Sequence, residues 1–218
     1  MLMLSISLIL EYLFDFSRDC FVIQVILKDN FPQPIAQLDK MILLWINPGL
    51  LSKYLTPVMI FLTLFGGIIF IAGLTSMVLL REGKRGVSFV VVLVLSILLA
   101  YVIKEVVTRP RPFMTIPGVM FLTCSFSPSF PSGHTMRIST VAGIFTRMYG
   151  KTIGNITLVL SILVGFSRLY LGVHYPSDVV FGLLFGYILG YWLTPFIEKR
   201  LFPADEIQDT SPTLDLPQ

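Results

Sequence analysis

Residues 54–80 contain no acidic or basic side chain, and the stretches 87–103, 152–167 and 179–197 are equally free of charge. Uncharged apolar runs on this scale match the thickness of a bilayer core, which about 20 helical residues cross. In lipid only a helix or a closed barrel satisfies its own backbone, and continuous apolar runs read as helices. Composition agrees: 55% of the 218 residues are hydrophobic and 13% are charged, where about a quarter is usual for a soluble domain. The net charge of +3 is too small to indicate a nucleic-acid partner. The expectation is an all-α, polytopic transmembrane helix bundle whose partner is the lipid bilayer. A fifth span begins at Ser132 and runs to about Tyr149 despite Arg137 inside it.

The rest of the chain divides around these five firm spans. Residues 1–53 read as an N-terminal interfacial or amphipathic region, punctuated by Pro32, Pro34 and Pro48. Within it, 38–46 suits a short helix at headgroup level with Trp45 as anchor. A poorly formed sixth span over 3–27 is the rival, made expensive in hydrocarbon by Glu11, Asp15, Arg18 and Asp19. The opening residues lack a basic leader and a small-residue cleavage site, so no cleaved signal peptide is read there. The bundle is expected over 54–200 and a disordered tail over 201–218, with Pro203, Pro212 and Pro217. Cys20 and Cys124 have no metal or redox spacing and are expected to be unpaired. Gly182, Gly186 and Gly190 share one helical face, which suits close packing within the bundle or in a dimer. The oligomeric state is not readable.

Loop charges orient the spans. Arg81, Lys84 and Arg85, then Arg147 and Lys151, then Lys199 and Arg200 fall on one side, which the positive-inside rule makes cytoplasmic, together with the C-terminus. The sequon Asn155-Ile156-Thr157 falls on that side as well and is read as chance. Three other segments, beginning at Lys104, Pro131 and Ser167, then emerge together on the opposite, extracytoplasmic face of the cell membrane.

Those segments hold both histidines of the chain. Lys104, Arg111 and Arg168 gather with His134 and His174 on the less basic side, against the charge bias, and an anionic ligand supplies the reason. Guanidinium forks match phosphate oxygens and lysine adds a point charge. In Pro131-Ser132-Gly133-His134, Ser132 is placed to cap a helix whose free N–H groups attract anions, and Gly133 allows close approach. His174 precedes Pro176 and Asp178, and the Asp178 carboxylate can fix the imidazole tautomer and raise the nucleophilicity of its other nitrogen. Two histidines with different partners suit two jobs, nucleophile and proton donor.

Lys104, six residues, Arg111-Pro112; Pro131-Ser132-Gly133-His134; and Ser167-Arg168, five residues, His174, three residues, Asp178 together resemble the three signature motifs of the type-2 phosphatidic acid phosphatase superfamily. The resemblance covers about residues 54–198. It implies metal-independent phosphate hydrolysis without a cofactor: His174 attacks phosphorus to form a phosphohistidine, Asp178 orients it, and His134 protonates the leaving oxygen. Lys104, Arg111, Arg168, Ser132 and the Gly133 backbone are then expected to hold the phosphoryl oxygens. Arg137, one helical turn beyond His134, either joins this cage or pairs with Glu105 or Asp178. Arg109 is read as a headgroup-facing anchor, with a phosphate contact as the alternative.

The expected activity is hydrolysis of a membrane lipid phosphate or diphosphate, of polyprenyl diphosphate, phosphatidic acid or phosphatidylglycerolphosphate type. A vanadate-dependent haloperoxidase and a non-enzymatic anion transporter are the rivals.

Overall fold

A computed structural model describes residues 31–123 and 127–202. Residues 3–27, Cys20, Cys124 and the tail from 203 lie outside the described residues. The described chain forms helices and no strand: α1 (Gln33–Ile46), α2 (Leu55–Leu64), α3 (Ile68–Glu82), α4 (Lys84–Val107), the short α5 (Pro112–Thr115), α6 (Gly133–Tyr149), α7 (Lys151–Tyr170) and α8 (Pro176–Leu201). Among them, three stretches are each long and apolar enough to cross a membrane: α7, α8, and α4 continued to Thr115. Helices α2 and α3 pass the same test only as a pair, bent by 44°.

That bend corrects the reading of 54–80 as one continuous span, and its cause is packing against α6. A Cβ on Gly66 would stand 2.8 Å from Cβ of His134 and 2.9 Å from Cγ1 of Val164. Gly66 and Gly67 instead donate their N–H groups to Thr63 and Leu64, tightening the turn. The Gly66 carbonyl is taken by Arg137, whose Nε and Nη2 donate to it at 3.0 and 2.7 Å. A guanidinium occupies the acceptor that a continuous helix would use for its own ladder.

Helix α6 is the centre of the molecule. Its residues from Ile138 to Ile144 are buried in succession. A helix enclosed by protein needs no apolar face toward lipid, so it can carry polar groups if each is bonded. Ser139 donates to the Leu183 carbonyl at 2.6 Å, and the hydroxyls of Thr140 and Ser96 meet at 2.7 Å. The glycine row of α8 is what lets it close on α6. A Cβ on Gly186 would collide with the Met136 carbonyl, one on Gly190 with that of Thr140, and one on Gly143 with that of Tyr187. The four-residue spacing serves packing within the bundle.

At one end the turn between α3 and α4 pivots on Gly83 at φ 53, and Arg85 lies 4.0 Å from Glu198 near the end of α8. Two of the three basic segments therefore share an end of the bundle. At the other end, α1 docks through Asp39, Leu43 and Ile46 while Trp45 stays 70% exposed. Asn47 secures this attachment: its Nδ2 donates to the carbonyls of Met120 and Tyr170 at 2.7 and 2.6 Å, and its Oδ1 accepts from the Met120 N–H at 2.8 Å.

Candidate active site

The three segments converge on one cavity of about 370 Å³, lined by Thr63, Lys104, Arg111, Thr123, Ser127, Gly133, His134, Arg137, Arg168 and His174. Lys104 enters from the last turn of α4, which stops at Thr108 in the left-handed conformation, φ 47. Gly133 opens α6 and His134 follows it, so the helix N-terminus faces the cavity. Arg168 closes α7, and His174 sits in the short link before α8.

Each cation is held by neutral groups. Lys104 donates to the Pro128 carbonyl. Arg111 donates from Nε to the Ser127 carbonyl at 2.9 Å and from Nη1 to that of Val173 at 2.8 Å. Arg168 donates from Nη1 to Thr63 Oγ1 at 2.7 Å, while its buried Nε has no hydrogen-bond partner among the described residues. An unmatched guanidinium donor beside a cavity is costly unless a ligand completes it. Glu105 is exposed and takes no part. Arg137 pairs with neither Glu105 nor Asp178; it is bonded to Gly66 and lines the cavity.

His174 is positioned from both nitrogens. Nδ1 lies 3.3 Å from Oδ2 of Asp178, and Nε2 lies 3.2 Å from Nη1 of Arg111. With the Nδ1 proton directed at the carboxylate, Nε2 presents its lone pair at the cation-lined side. Burial holds the imidazole well below its ordinary range, and the positive charges of Arg111, Arg168 and Lys104 push in the same direction. The ring is therefore a neutral base, the form a nucleophile requires.

Asp178 does not line the cavity. It is fully buried behind His174, in the first turn of α8 that Pro176 begins. Its Oδ2 accepts from the Tyr175 N–H at 2.9 Å and from the Ser129 hydroxyl, and its Oδ1 accepts from Nη1 of Arg109 at 2.9 Å. Ser132 stands at the N-cap position of α6 without a side-chain capping bond. Its hydroxyl pairs with Thr135 Oγ1 at 2.9 Å and its N–H donates to the Asp178 carbonyl at 3.1 Å, so it joins α6 to α8 from outside the cavity wall.

Arg109 overturns the headgroup-anchor reading. It is 2% exposed and bridges two carboxylates, Asp178 and Asp39, at 2.9 and 2.8 Å. It lies between the rings of Tyr175 and Phe31, at 3.7 and 4.0 Å from their centroids. Ser177 closes the circuit, donating from its N–H and hydroxyl to Asp39 at 2.8 and 2.5 Å. Asp39 has no counterpart in the sequence reading. The one available signal was a lone acid at 39 on the apolar 38–46 segment.

Comparison with known proteins identifies the family and the fold. Residues 85–202 match the PAP2 superfamily. The chain is 30% identical over 167 residues to an undecaprenyl-diphosphatase of Sulfolobus acidocaldarius, covering 75% of this chain and 76% of that protein. It is 33% identical over 129 residues to phosphatidylglycerophosphatase B of Bacillus subtilis, covering 55% and 61%. Its fold superposes with a TM-score of 0.68, at 28% identity, on the crystal structure of the first transmembrane PAP2 type phosphatidylglycerolphosphate phosphatase from Bacillus subtilis, covering 78% of this chain and 89% of that one. A chain with this sequence match, this helical fold and all three motifs directed to one cavity belongs to the PAP2 superfamily, the family its motifs resemble.

Proposed function

We propose that this protein is an integral membrane phosphatase that hydrolyses a lipid-linked phosphate or diphosphate through a phosphohistidine. The observation that carries the reading is His174, buried, backed by Asp178 on Nδ1 and directed by Nε2 to a cavity of cationic side chains. Nε2 forms a bond to phosphorus as the bond to the leaving oxygen breaks, and His134 supplies that oxygen with a proton. Water then displaces the phosphoryl group, and the N–P electron pair returns to Nε2. Lys104, Arg111, Arg168 and the Gly133 N–H hold the phosphoryl oxygens where negative charge gathers. Ser132 acts from behind, by tying α6 to α8.

The substrate classes follow the relatives, an undecaprenyl-diphosphatase and a phosphatidylglycerophosphatase. A lipid tail stays in the bilayer while its headgroup enters among the helices. In this reading the α2–α3 pair, α4, α6, α7 and α8 are the five spans of a unit over 54–200. Residues 1–53 form the interfacial region, 201–218 the tail, and the cavity opens extracytoplasmically in the cell membrane.

The test is phosphate release from lipid phosphates and diphosphates by the purified protein in EDTA. Activity that persists there and disappears in His174→Ala is the expected result. A requirement for added divalent metal, or full activity in His174→Ala, overturns the mechanism.

A further inference from the structure

We propose that Arg137 forms a second phosphate subsite beside His134, which holds the leaving phosphate of a lipid diphosphate. This rests on the phosphatase reading above and narrows its substrate class.

The placement is unusual. Arg137 lies outside the three motif segments, yet it lines the same cavity as Lys104, Arg111 and Arg168. Two of its nitrogens are fixed on the Gly66 carbonyl, and no described residue takes a hydrogen bond from Nη1. That nitrogen stands 3.4 Å from where a Cβ on Gly133 would be, and Lys104 Cε stands 3.9 Å from the same point. Nη1 therefore overhangs the N-terminus of α6 at Gly133, and Gly66, which anchors the guanidinium, packs directly on His134. Gly66 is itself wedged between α6 and α7, so the guanidinium is anchored on backbone that is packed in place.

Charge points to the same occupant. Three cations, Lys104, Arg111 and Arg168, already face one transferred phosphoryl group, which carries about −1.5 to −2 at neutral pH. The carboxylate behind His174, Asp178, is bonded to Arg109 and does not line the cavity. A fourth cation finds its counter-charge in a substrate with a second ionised phosphate. In a diphosphate the terminal phosphorus forms the bond to His174 Nε2, and the bridging P–O bond breaks with its electron pair going to the lipid-bearing phosphate. That leaving group has a conjugate acid of pKa near 6, so it departs with little need of a proton and much need of a fixed cation. An alcohol leaving from a phosphate monoester has the opposite requirement. Arg137 serves the first case and His134 the second.

The experiment compares farnesyl diphosphate with farnesyl monophosphate on the purified full-length protein. Arg137→Gln is expected to lower kcat/KM for the diphosphate at least about tenfold more than for the monophosphate, with Arg137→Lys recovering part of the difference. His134→Gln is expected to weigh more heavily on the monophosphate. Inorganic pyrophosphate is expected to inhibit the wild-type protein more strongly than orthophosphate, a preference that Arg137→Gln removes. Equal losses on both substrates, or a heavier loss on the monophosphate, overturn the subsite. If Arg137→Gln does not fold, an inhibition preference for orthophosphate in the wild type overturns it alone. A wild-type protein that releases phosphate from neither substrate instead overturns the phosphatase reading.

Discussion

Asp39 and Arg109 meet at 2.8 Å in the protein interior, and neither lines the cavity. The same guanidinium grips Asp178 with its other nitrogen, and Asp178 holds His174. A carboxylate on α1 is thus three contacts away from the imidazole.

Asp39→Asn leaves Arg109 buried with one carboxylate for two forks. Breaking one partner of a buried pair costs roughly 3–5 kcal/mol, so the melting temperature in detergent falls. Because Asp39 touches no substrate, kcat falls while KM holds. An unchanged kcat in the folded variant would show that Asp178 is held without it. Arg109→Lys behaves similarly, since one ammonium cannot fork between two acids.

Gly186→Ala tests the seam between α6 and α8. The added Cβ meets the Met136 carbonyl and comes within 3.0 Å of Ser139 Cβ, so the helices must separate. Overpacking of this kind costs about 1–3 kcal/mol. Thermal unfolding should report it, with Gly73→Ala as control, since a Cβ at Gly73 meets nothing within 4 Å.

His174 gives stability a pH dependence. Its folded pKa is depressed by burial and by neighbouring cations, so the unfolded chain binds a proton below about pH 6.5 that the native state does not. Stability from this residue is therefore undiminished above that pH and falls as pH drops through it. The decrease in melting temperature between about pH 7.5 and 5.5 should be smaller in His174→Gln than in the wild type.

Topology is open to direct measurement. Reporter fusions after Arg81 and after Pro117 should lie on opposite sides of the membrane, with Arg81 cytoplasmic. Fusions on the same side, or Arg81 outside, would reverse the face on which substrate is met.

The convergence of the motif segments on one cavity was legible because their residues lie at helix ends, where local sequence marks the boundary. Lys104 closes an apolar run, Gly133 opens one, and His174 precedes Pro176. Arg109 was misread because its meaning depends on Asp39, 70 positions earlier, and nothing local to either residue announces the pair. Arg137 left three readings open because its partner is a backbone carbonyl 71 positions away, invisible to side-chain pairing rules. The bend at Gly66 was hidden for the same reason. The run 54–80 is uniformly apolar, and what breaks it is the neighbouring helix.

The buried acid–base circuit is also a matter of order in time. As the chain leaves the ribosome, Asp39 and Arg109 appear long before Asp178, which waits in the first turn of α8. Until that helix is made, the histidine has no carboxylate behind it and Arg109 has only Asp39. Half-inserted chains therefore lack the His174–Asp178 pair, and the cavity receives its second histidine only as the last helix begins.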